Sequence, residues 1–392
     1  MTIQAAAIGE QKENEFQTGQ VITIVGGHFV NDTYSAFLAP TLPLLIEKLS
    51  LSLTLAGSLP AFIQLPGLLN PFIGYLADRV SLRYFVIFAP GVTATIFSAV
   101  GLAPSYFALA AILLLAGVSV AAFHTPAPAM IGRIAGGRVG RGMSLFMAGG
   151  ELGRTVGPLL AVWAVSIWTL DGMYRVAVIG WAATFILLLR LRAIPARTEQ
   201  RLSLREIAPT LRSLFIPLFI FVLFRVAMLA GLPVFLPTYM VERGASLPIA
   251  AAALTIFELA GVGGALLGGT LSDRLGRKLV MMLGTGGAAI LLFVFVRAEG
   301  IWLVPLLLGM GFTALSTAPV LLAVVQEHFP ANRAVANGLF LSISFATRPA
   351  GQILVGYIGD RSGLGNAFQV SAALALIAVP LALLMPDLDK KQ

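Results

Sequence analysis

The sequence lacks cysteine altogether and contains only three histidines in 392 residues. Disulfides and thiolate metal sites are therefore excluded, and the histidines are too scattered to match a zinc-binding spacing. The sequence also lacks a Gly-x-x-x-x-Gly-Lys-Ser/Thr loop, so it offers no P-loop for ATP. We accordingly expect no metal site, no cofactor and no enzymatic activity.

Charged residues are scarce as well. They make up 11% of the chain and hydrophobic residues 58%, whereas roughly a quarter of the residues in ordinary soluble domains are charged. The 41 glycines and 22 prolines fit membrane helices, in which both residues are more frequent than in soluble ones. The composition indicates an integral membrane protein.

Apolar segments recur along the chain with short interruptions, and each reaches the length of about 20 residues that a helix needs to cross a bilayer. We predict an all-α protein in which twelve such segments form transmembrane helices. They lie at residues 19–46, 54–77, 84–102, 105–130, 142–168, 172–190, 213–240, 248–271, 279–296, 301–326, 335–358 and 364–385.

Most Lys and Arg residues fall in the tails and in the loops that this topology places on the side of the N-terminus. Because positive loops stay in the cytoplasm, we expect both termini there, with tails at residues 1–18 and 387–392. The first residues lack the basic start and apolar run of a signal peptide. The net charge of +8 thus reflects topology, and we expect no nucleic-acid partner. A monomer in a bacterial inner membrane is the expected form.

The chain is duplicated across its central polar stretch. Gly74-Tyr-Leu-Ala-Asp78-Arg79 matches Gly269-Thr-Leu-Ser-Asp273-Arg274, and Arg154-Thr-Val-Gly157 matches Arg348-Pro-Ala-Gly351. We therefore predict two six-helix halves of one design. They comprise residues 19–190 and 213–386, joined by a basic cytoplasmic linker at 191–212.

Two six-span halves, a basic central linker and a Gly-x-x-x-Asp-Arg loop in each half resemble the major facilitator superfamily of secondary transporters. In that superfamily, parallel halves enclose a site near the middle of the membrane. The first loop departs from the signature, because Ser81 stands where a second glycine is usual. The second loop, with Gly276 at that position, fits better.

Glycines recur at every fourth residue in the fifth span, at 149, 153 and 157, and Pro158 follows. This spacing predicts a face that packs closely against another helix, and the proline favours a bend. The run resembles the glycine-proline signature of proton-coupled exporters in the superfamily, although Ala161-Val162 replaces its usual closing glycine pair.

A narrower resemblance is to the fosmidomycin-resistance type of exporter. It rests on Gly27-His28-Phe-Val-Asn31-Asp32 in the first span, on Phe123-His124 in the fourth, and on the Gly-Gly-x-x-Gly run of the fifth. The resemblance implies efflux of small, anionic compounds in exchange for protons, with the proton gradient as the energy source.

Ionisable side chains inside membrane spans are costly and therefore mark functional sites. Asp32 follows His28 by one helical turn, so the two share a helix face. The candidate proton-coupling residues are Asp32, Glu151, Glu258 and His124. For His28 and Asp32, the alternative is a structural hydrogen bond to a neighbouring helix.

Three arginines lie inside predicted spans, at 154, 225 and 348. Guanidinium groups stay charged and offer a planar fork of donors that can hold a carboxylate, phosphonate or phosphate. The candidate substrate-binding residues are Arg154, Arg348, Arg225, Asn31 and His28. The alternative is that each arginine only neutralises one of the three acids in the spans.

The duplicated Asp-Arg loops are candidates for a conformational latch. Aspartates beside arginines at the cytoplasmic ends of spans can pair with each other and with helix ends, and so favour one of two states. The residues of this predicted latch are Asp78, Arg79, Arg83, Asp273, Arg274 and Arg277.

These features predict a secondary active transporter that works by alternating access and exports small organic anions or amphiphilic drugs in exchange for protons. An importer or exchanger of an organic or inorganic anion would use the same arginines. A non-transporting membrane receptor or a lipid flippase is the alternative from another class of protein.

Overall fold

The computed structural model describes residues 16–69, 83–135, 139–192, 208–328 and 333–385, and helices joined by turns make up nearly all of them. The α-helices among these residues are α1 (Thr18–Ser35), α2 (Leu38–Leu49), α3 (Leu53–Gln64), α4 (Arg83–Ser98), α5 (Tyr106–His124), α6 (Ala127–Ile134), α7 (Val139–Gly172), α8 (Ala177–Leu191), α9 (Ala208–Val226), α10 (Leu232–Glu242), α11 (Leu247–Leu275), α12 (Arg277–Phe295), α13 (Leu303–His328), α14 (Arg333–Ser362) and α15 (Leu364–Leu381). A π-helix at Ala227–Gly231 joins α9 to α10.

Each of the twelve predicted segments contains helix. Within the described part of the chain, eight helical stretches are long and apolar enough to cross a membrane, and one of them, Leu145–Leu191, covers both the fifth and the sixth predicted spans. The all-helical, multi-pass membrane architecture is thereby confirmed. The full count of twelve spans stays a prediction.

The long helix α7 changes direction at Thr169, where the backbone leaves the helical region with φ 62 and ψ 175. This break separates the fifth predicted span from the sixth. The dihedral angles remain helical at Pro158, so the outlying backbone conformation lies eleven residues beyond the proline.

The outer surface of the helices is apolar. Phe107 is 83% exposed and Ile301 84%, and large aliphatic side chains such as Leu115 and Phe185 are also exposed. A soluble protein rarely leaves so much contiguous apolar surface in water. The surroundings of these helices are therefore the hydrocarbon chains of a bilayer.

The described residues form two compact units. The first comprises those of Met1–Leu38 and Leu65–Glu199, and the second those of Ala39–Gln64 and Gln200–Gln392. The start of α3 joins the second unit partly through Asp360 at the end of α14, whose carboxylate accepts hydrogen bonds from the backbone nitrogens of Leu53 and Thr54 at 2.6 and 2.8 Å. A carboxylate at a helix N-terminus satisfies backbone donors that have no partner within the helix.

Helices α1 and α7 approach each other closely in the first unit because α7 presents glycines along the contact. A Cβ atom on Gly149 would lie 2.9 Å from the backbone oxygen of Val25, and one on Gly153 would overlap the carbonyl oxygen of Phe29. Gly157 meets α1 in the same way one turn later. The predicted close packing of the fifth span is confirmed, and α1 is its partner.

The second unit uses the same device between α11 and α13. Cβ atoms on Gly264 and Gly268 would overlap the backbone of Phe312 and Ser316. Small residues let membrane helices pack backbone to backbone, which increases their van der Waals contact where no hydrophobic effect operates between helices. Glycine-mediated helix contacts thus occur in both units.

We expect Gly153→Ala to lower the free energy of unfolding by about 1–3 kcal/mol, because the added methyl group must push α1 and α7 apart. The measurement is thermal unfolding of the purified protein in detergent, followed by tryptophan fluorescence. Gly26→Ala is the matched control, since an added Cβ at Gly26 on α1 meets nothing within 4 Å. Equal unfolding temperatures for the two variants would contradict the packing argument.

Candidate functional site

Asp32 lies near the C-terminal end of α1 and is only 2% exposed. Arg154 on α7 donates from Nη1 to Oδ2 at 3.0 Å. Nε2 of His124, the last residue of α5, is 3.2 Å from Oδ1, and Nε2 of His28 is 3.4 Å from Oδ2. Asn31 donates from Nδ2 to Oδ1 at 3.2 Å. Side chains from three helices therefore converge on one carboxylate.

The orientation of both imidazoles is set by backbone carbonyl groups. Nδ1 of His28 is 2.7 Å from the oxygen of Phe146, and Nδ1 of His124 is 3.0 Å from the oxygen of Val120. A carbonyl oxygen only accepts, so the hydrogen of each neutral ring lies on Nδ1. Both Nε2 atoms then carry lone pairs, and they face each other at 3.1 Å beside a carboxylate. This arrangement needs a cation or a shared proton between the acceptors.

Phe146 and Gly150 on α7 shape the space that the His28 ring occupies. The Phe146 ring stacks on the His28 ring with centroids 3.9 Å apart. A Cβ on Gly150 would lie 2.5 Å from Cε1 and Nε2 of His28 and 3.0 Å from Oδ2 of Asp32. Gly150 does not belong to the four-residue repeat at 149, 153 and 157. A glycine outside this repeat could have indicated that a side chain from another helix needs space at this position.

Arg154 also forms an ion pair with Glu151, three residues before it on α7. The side chain of Arg154 is 39% exposed and that of Glu151 19%, whereas the Asp32 side chain is 3% exposed. The guanidinium therefore bridges a buried acid and a more accessible one. This pairing agrees with the alternative that the arginine neutralises acids in the spans, and substrate contact stays a prediction.

A short hydrogen-bonded chain extends from the cluster into the neighbouring helices. Asn31 accepts a hydrogen bond from Oγ1 of Thr93 on α4 at 2.9 Å, and Thr93 shares another with Ser119 on α5 at 2.7 Å. All three side chains are buried. Asn31 was among the predicted site residues, whereas Thr93 and Ser119 were not. The signal that could have identified them is a hydroxyl group inside an otherwise apolar span.

Arg225 belongs to the second unit and is 2% exposed. Its Nη2 atom donates to Oγ1 of Thr317 and to the carbonyl oxygen of Ala314, and its guanidinium lies 5.3 Å from the ring centroid of Phe221. Within the described residues, Nε and Nη1 are buried without a hydrogen-bond partner. The π-helix begins two residues later, and such helices often occur at functional sites.

Glu258 and Arg348 also lie in the second unit, on α11 and α14. Glu258 is half-buried and Arg348 is exposed. The Asp32 cluster belongs to the first unit, in which the structure gathers Asp32, His28, His124, Arg154 and Glu151. The predicted two-sided clamp of Arg154 and Arg348 stays a prediction.

The predicted latch is described only in part. Asp78 and Arg79 lie outside the described residues, as does the side chain of Asp273. Arg83 is the first residue of α4, and its guanidinium lies 5.0 Å from the ring centroid of Tyr84.

In the second copy of the predicted latch, Arg274 is exposed at the end of α11. Arg277 begins α12, and its Nη1 atom donates to Oγ of Ser272. This contact ties α12 to the end of α11, so the described part of the second loop forms a compact turn. Pairing between Asp273 and an arginine stays a prediction.

The family model described as Major Facilitator Superfamily matches residues 24–265 and 218–392 of the chain. The chain belongs to the Major Facilitator Superfamily. Its members are transporters and not enzymes, so the expectation of a non-enzymatic membrane transporter is confirmed. The resemblance drawn from the duplicated Gly-x-x-x-Asp-Arg loops is confirmed with it.

Two superfamily members resemble the chain over nearly their whole length. The fosmidomycin resistance protein of Escherichia coli (strain K12) is 25% identical over 370 residues, which are 92% of this chain and 91% of that protein. The uncharacterized MFS-type transporter YfnC of Bacillus subtilis (strain 168) is 24% identical over 391 residues, which are 95% and 93% of the two chains. The predicted likeness to the fosmidomycin-resistance type is confirmed.

Solved superfamily structures share the fold. A D-xylose-proton symporter aligns with a TM-score of 0.77 and 17% identity over 95% of this chain and 98% of its own. A bacterial homologue of the human lysosomal transporter Spinster, in an inward-facing and occupied conformation, aligns with a TM-score of 0.78 and 16% identity over 94% and 96%. At such low identity these likenesses establish the fold alone.

The contact between Asp32 and Arg154 leads to a prediction about stability. In a double-mutant cycle with Asp32→Asn and Arg154→Gln, we expect a coupling energy of about 1–3 kcal/mol, because a buried carboxylate loses its charged partner. Unfolding in detergent is the measurement.

The control cycle uses Arg243 and Glu299, whose charged atoms are 3.7 Å apart and whose acid is 86% exposed. This pair should give less than about 1 kcal/mol, because water screens it. Similar coupling energies in the two cycles would mean that the Asp32 cluster is not an energetically linked unit.

Proposed function

We propose that this superfamily member is a secondary active transporter that exports small organic anions or amphiphilic drugs in exchange for protons, by alternating access. The observation that carries the proposal is the buried Asp32 carboxylate, which two histidines and Arg154 share. An ionisable group held inside a membrane span is a functional site by default. Histidine is the side chain that ordinarily gains and loses its proton near neutral pH.

The cluster offers a way to couple a proton to a substrate. A proton bound among Asp32, His28 and His124 reduces the negative charge that holds Nη1 of Arg154. The guanidinium is then more available to an oxyanion, which its planar fork can hold through two parallel hydrogen bonds. Glu151 remains ion-paired with the guanidinium of Arg154. Proton binding and anion binding thereby influence each other through one shared carboxylate.

Efflux as the direction of transport is supported by similarity to the E. coli fosmidomycin resistance protein. The placement of basic residues supports cytoplasmic termini and a bacterial inner membrane. Arg225 supports an anionic substrate, because it is buried and two of its nitrogens lack a hydrogen-bond partner within the described residues.

The first test is transport in everted membrane vesicles with an imposed pH gradient, acid inside, and radiolabelled fosmidomycin as the probe. We expect accumulation that collapses when a protonophore is added. Accumulation only in right-side-out vesicles would overturn the proposed direction and indicate an importer. A receptor would bind the probe yet show no counterflow in proteoliposomes.

Asp32→Asn should abolish accumulation driven by the pH gradient while substrate counterflow continues, because the amide removes the negative charge that holds the proton. Glu299→Gln is the control, since it removes an acid that is 86% exposed. Gradient-driven accumulation by Asp32→Asn at the level of the unmodified protein would refute the assignment of this residue.

Arg154→Ala and Arg348→Ala should each weaken binding of an anionic probe by at least about tenfold, the loss expected for one charge-assisted hydrogen bond. Binding is measured on detergent-solubilised protein that remains monodisperse. Arg361→Ala is the control, because this exposed arginine lies in the last turn of the same helix as Arg348. Unchanged affinity in both test variants would exclude the clamp.

A further inference from the structure

Two imidazoles and one carboxylate meet within the first unit in a way that their spacing in the sequence did not indicate. His28, Asp32 and His124 offer ligand atoms that all lie within 4.8 Å of one another. Imidazole nitrogen is a preferred ligand of Zn²⁺, Co²⁺, Ni²⁺ and Cu²⁺, and a carboxylate oxygen commonly completes such a set. We propose that Nε2 of His28, the carboxylate of Asp32 and Nε2 of His124 form a binding site for a transition-metal dication such as Zn²⁺.

The separations between the donor atoms match those around a tetrahedral ion. The two Nε2 atoms are 3.1 Å apart; that of His28 lies 3.4 Å from Oδ2 of Asp32, and that of His124 lies 3.2 Å from Oδ1 of the same carboxylate. Bonds of about 2.0–2.1 Å in a tetrahedron place neighbouring ligand atoms about 3.3 Å apart. The two nitrogens are therefore spaced for one Zn²⁺ ion, and a rotation of the Asp32 carboxylate about its Cβ–Cγ bond would bring one oxygen into the third position. The three ligand atoms already lie within 4.8 Å of one another.

The hydrogen bonds made by the other ring nitrogen of each histidine also suit a metal site. Histidine ligands commonly donate their second ring nitrogen to a carbonyl or carboxylate, which fixes the tautomer and the ring orientation. Nδ1 of His28 meets the Phe146 oxygen and Nδ1 of His124 meets the Val120 oxygen, at 2.7 and 3.0 Å. Both Nε2 lone pairs are consequently presented to the same point.

The charges around Asp32 and the exposure of the three side chains bear on how the site would bind an ion. Arg154 is already paired with Glu151, so the Asp32 charge can serve the metal while Oδ2 keeps its contact with Arg154. The His124 side chain is 35% exposed, whereas those of His28 and Asp32 are 5% and 3% exposed. The His124 side is therefore the accessible side of the site, from which an ion could enter and a fourth ligand could complete its coordination. With a single carboxylate, the site disfavours Mg²⁺ and Ca²⁺, which require several oxygen ligands.

The test is direct metal binding to the full chain in detergent, purified with an affinity tag that contains no histidine. Zn²⁺ binding is measured by calorimetry, and Co²⁺ serves as a spectroscopic probe because its visible absorption reports tetrahedral coordination. We expect one Zn²⁺ per chain and at least about a hundredfold preference for Zn²⁺ over Mg²⁺, from the difference in ligand type.

Four variants separate a metal site from general effects on the fold. His124→Ala and Asp32→Asn should each weaken Zn²⁺ binding by at least about tenfold, because loss of even an outer-shell partner of a metal ligand costs about 10–100-fold in affinity. His124→Cys should retain tight binding, because thiolate is a zinc ligand and the chain has no other cysteine. His328→Ala removes the remaining histidine and should leave the affinity unchanged.

Unchanged Zn²⁺ affinity in His124→Ala and Asp32→Asn would overturn the proposal, and so would equal affinities for Zn²⁺ and Mg²⁺. Neither result depends on transport. The metal site can therefore fail while proton-coupled export stands, and the reverse also holds. Inhibition of gradient-driven transport by Zn²⁺ in the unmodified protein and its relief in His124→Ala would link the two, a step that rests on the proposed function.

Discussion

A carboxylate placed in the hydrocarbon part of a membrane must be compensated, and the Asp32 side chain is 3% exposed. Leaving such a charge without a partner costs about 2.5–3.5 kcal/mol on insertion scales. The protein meets this cost with Arg154, His28, His124 and Asn31, which reach the carboxylate from three helices. The packing of the first unit around α1 follows from this requirement.

The compensation works only if the helices approach closely enough for short contacts. Glycines supply that approach: Gly153 brings the backbone of α7 against α1 beside Asp32, and Gly150 leaves room for the His28 ring. A side chain at either position would move Arg154 or His28 away from the carboxylate. The glycines thus determine how closely the charged groups approach Asp32, as well as how closely the helices pack.

The fold and the contacts within single helices could be predicted from the sequence. Hydropathy and the duplicated loops led to the fold, and the four-residue glycine repeat predicted a close helix contact. Spacing of four residues also predicted that His28 lies beside Asp32, and the spacing of three between Glu151 and Arg154 fits the ion pair that the structure shows.

The rest depends on contacts between helices, which no local spacing specifies. His124 comes from α5, Thr93 from α4 and Phe146 from α7, and their convergence on α1 follows from how four helices pack. The positions of His28 and His124 in the sequence consequently did not indicate that the two imidazoles lie together. The partner of the glycine face was equally hidden, because a small-residue stripe identifies a contact surface without identifying what covers it.

The distribution of charge between the two units suggests why the duplicated chain is asymmetric. Arg154 is matched in the repeat by Arg348, but the position equivalent to Glu151 is Phe345, so the acid three residues before the arginine occurs only in the first copy of the repeat. The first unit therefore carries a cluster in which a guanidinium, a proton or a metal ion would compete for the Asp32 carboxylate. The second unit carries Arg225, whose Nε and Nη1 lack hydrogen-bond partners within the described residues. In the proposed mechanism, cation exchange at Asp32 controls how available Arg154 is to an anion, and Arg225 would supply a further anion contact in the second unit. The two similar units would then contribute different charged groups to one transport cycle.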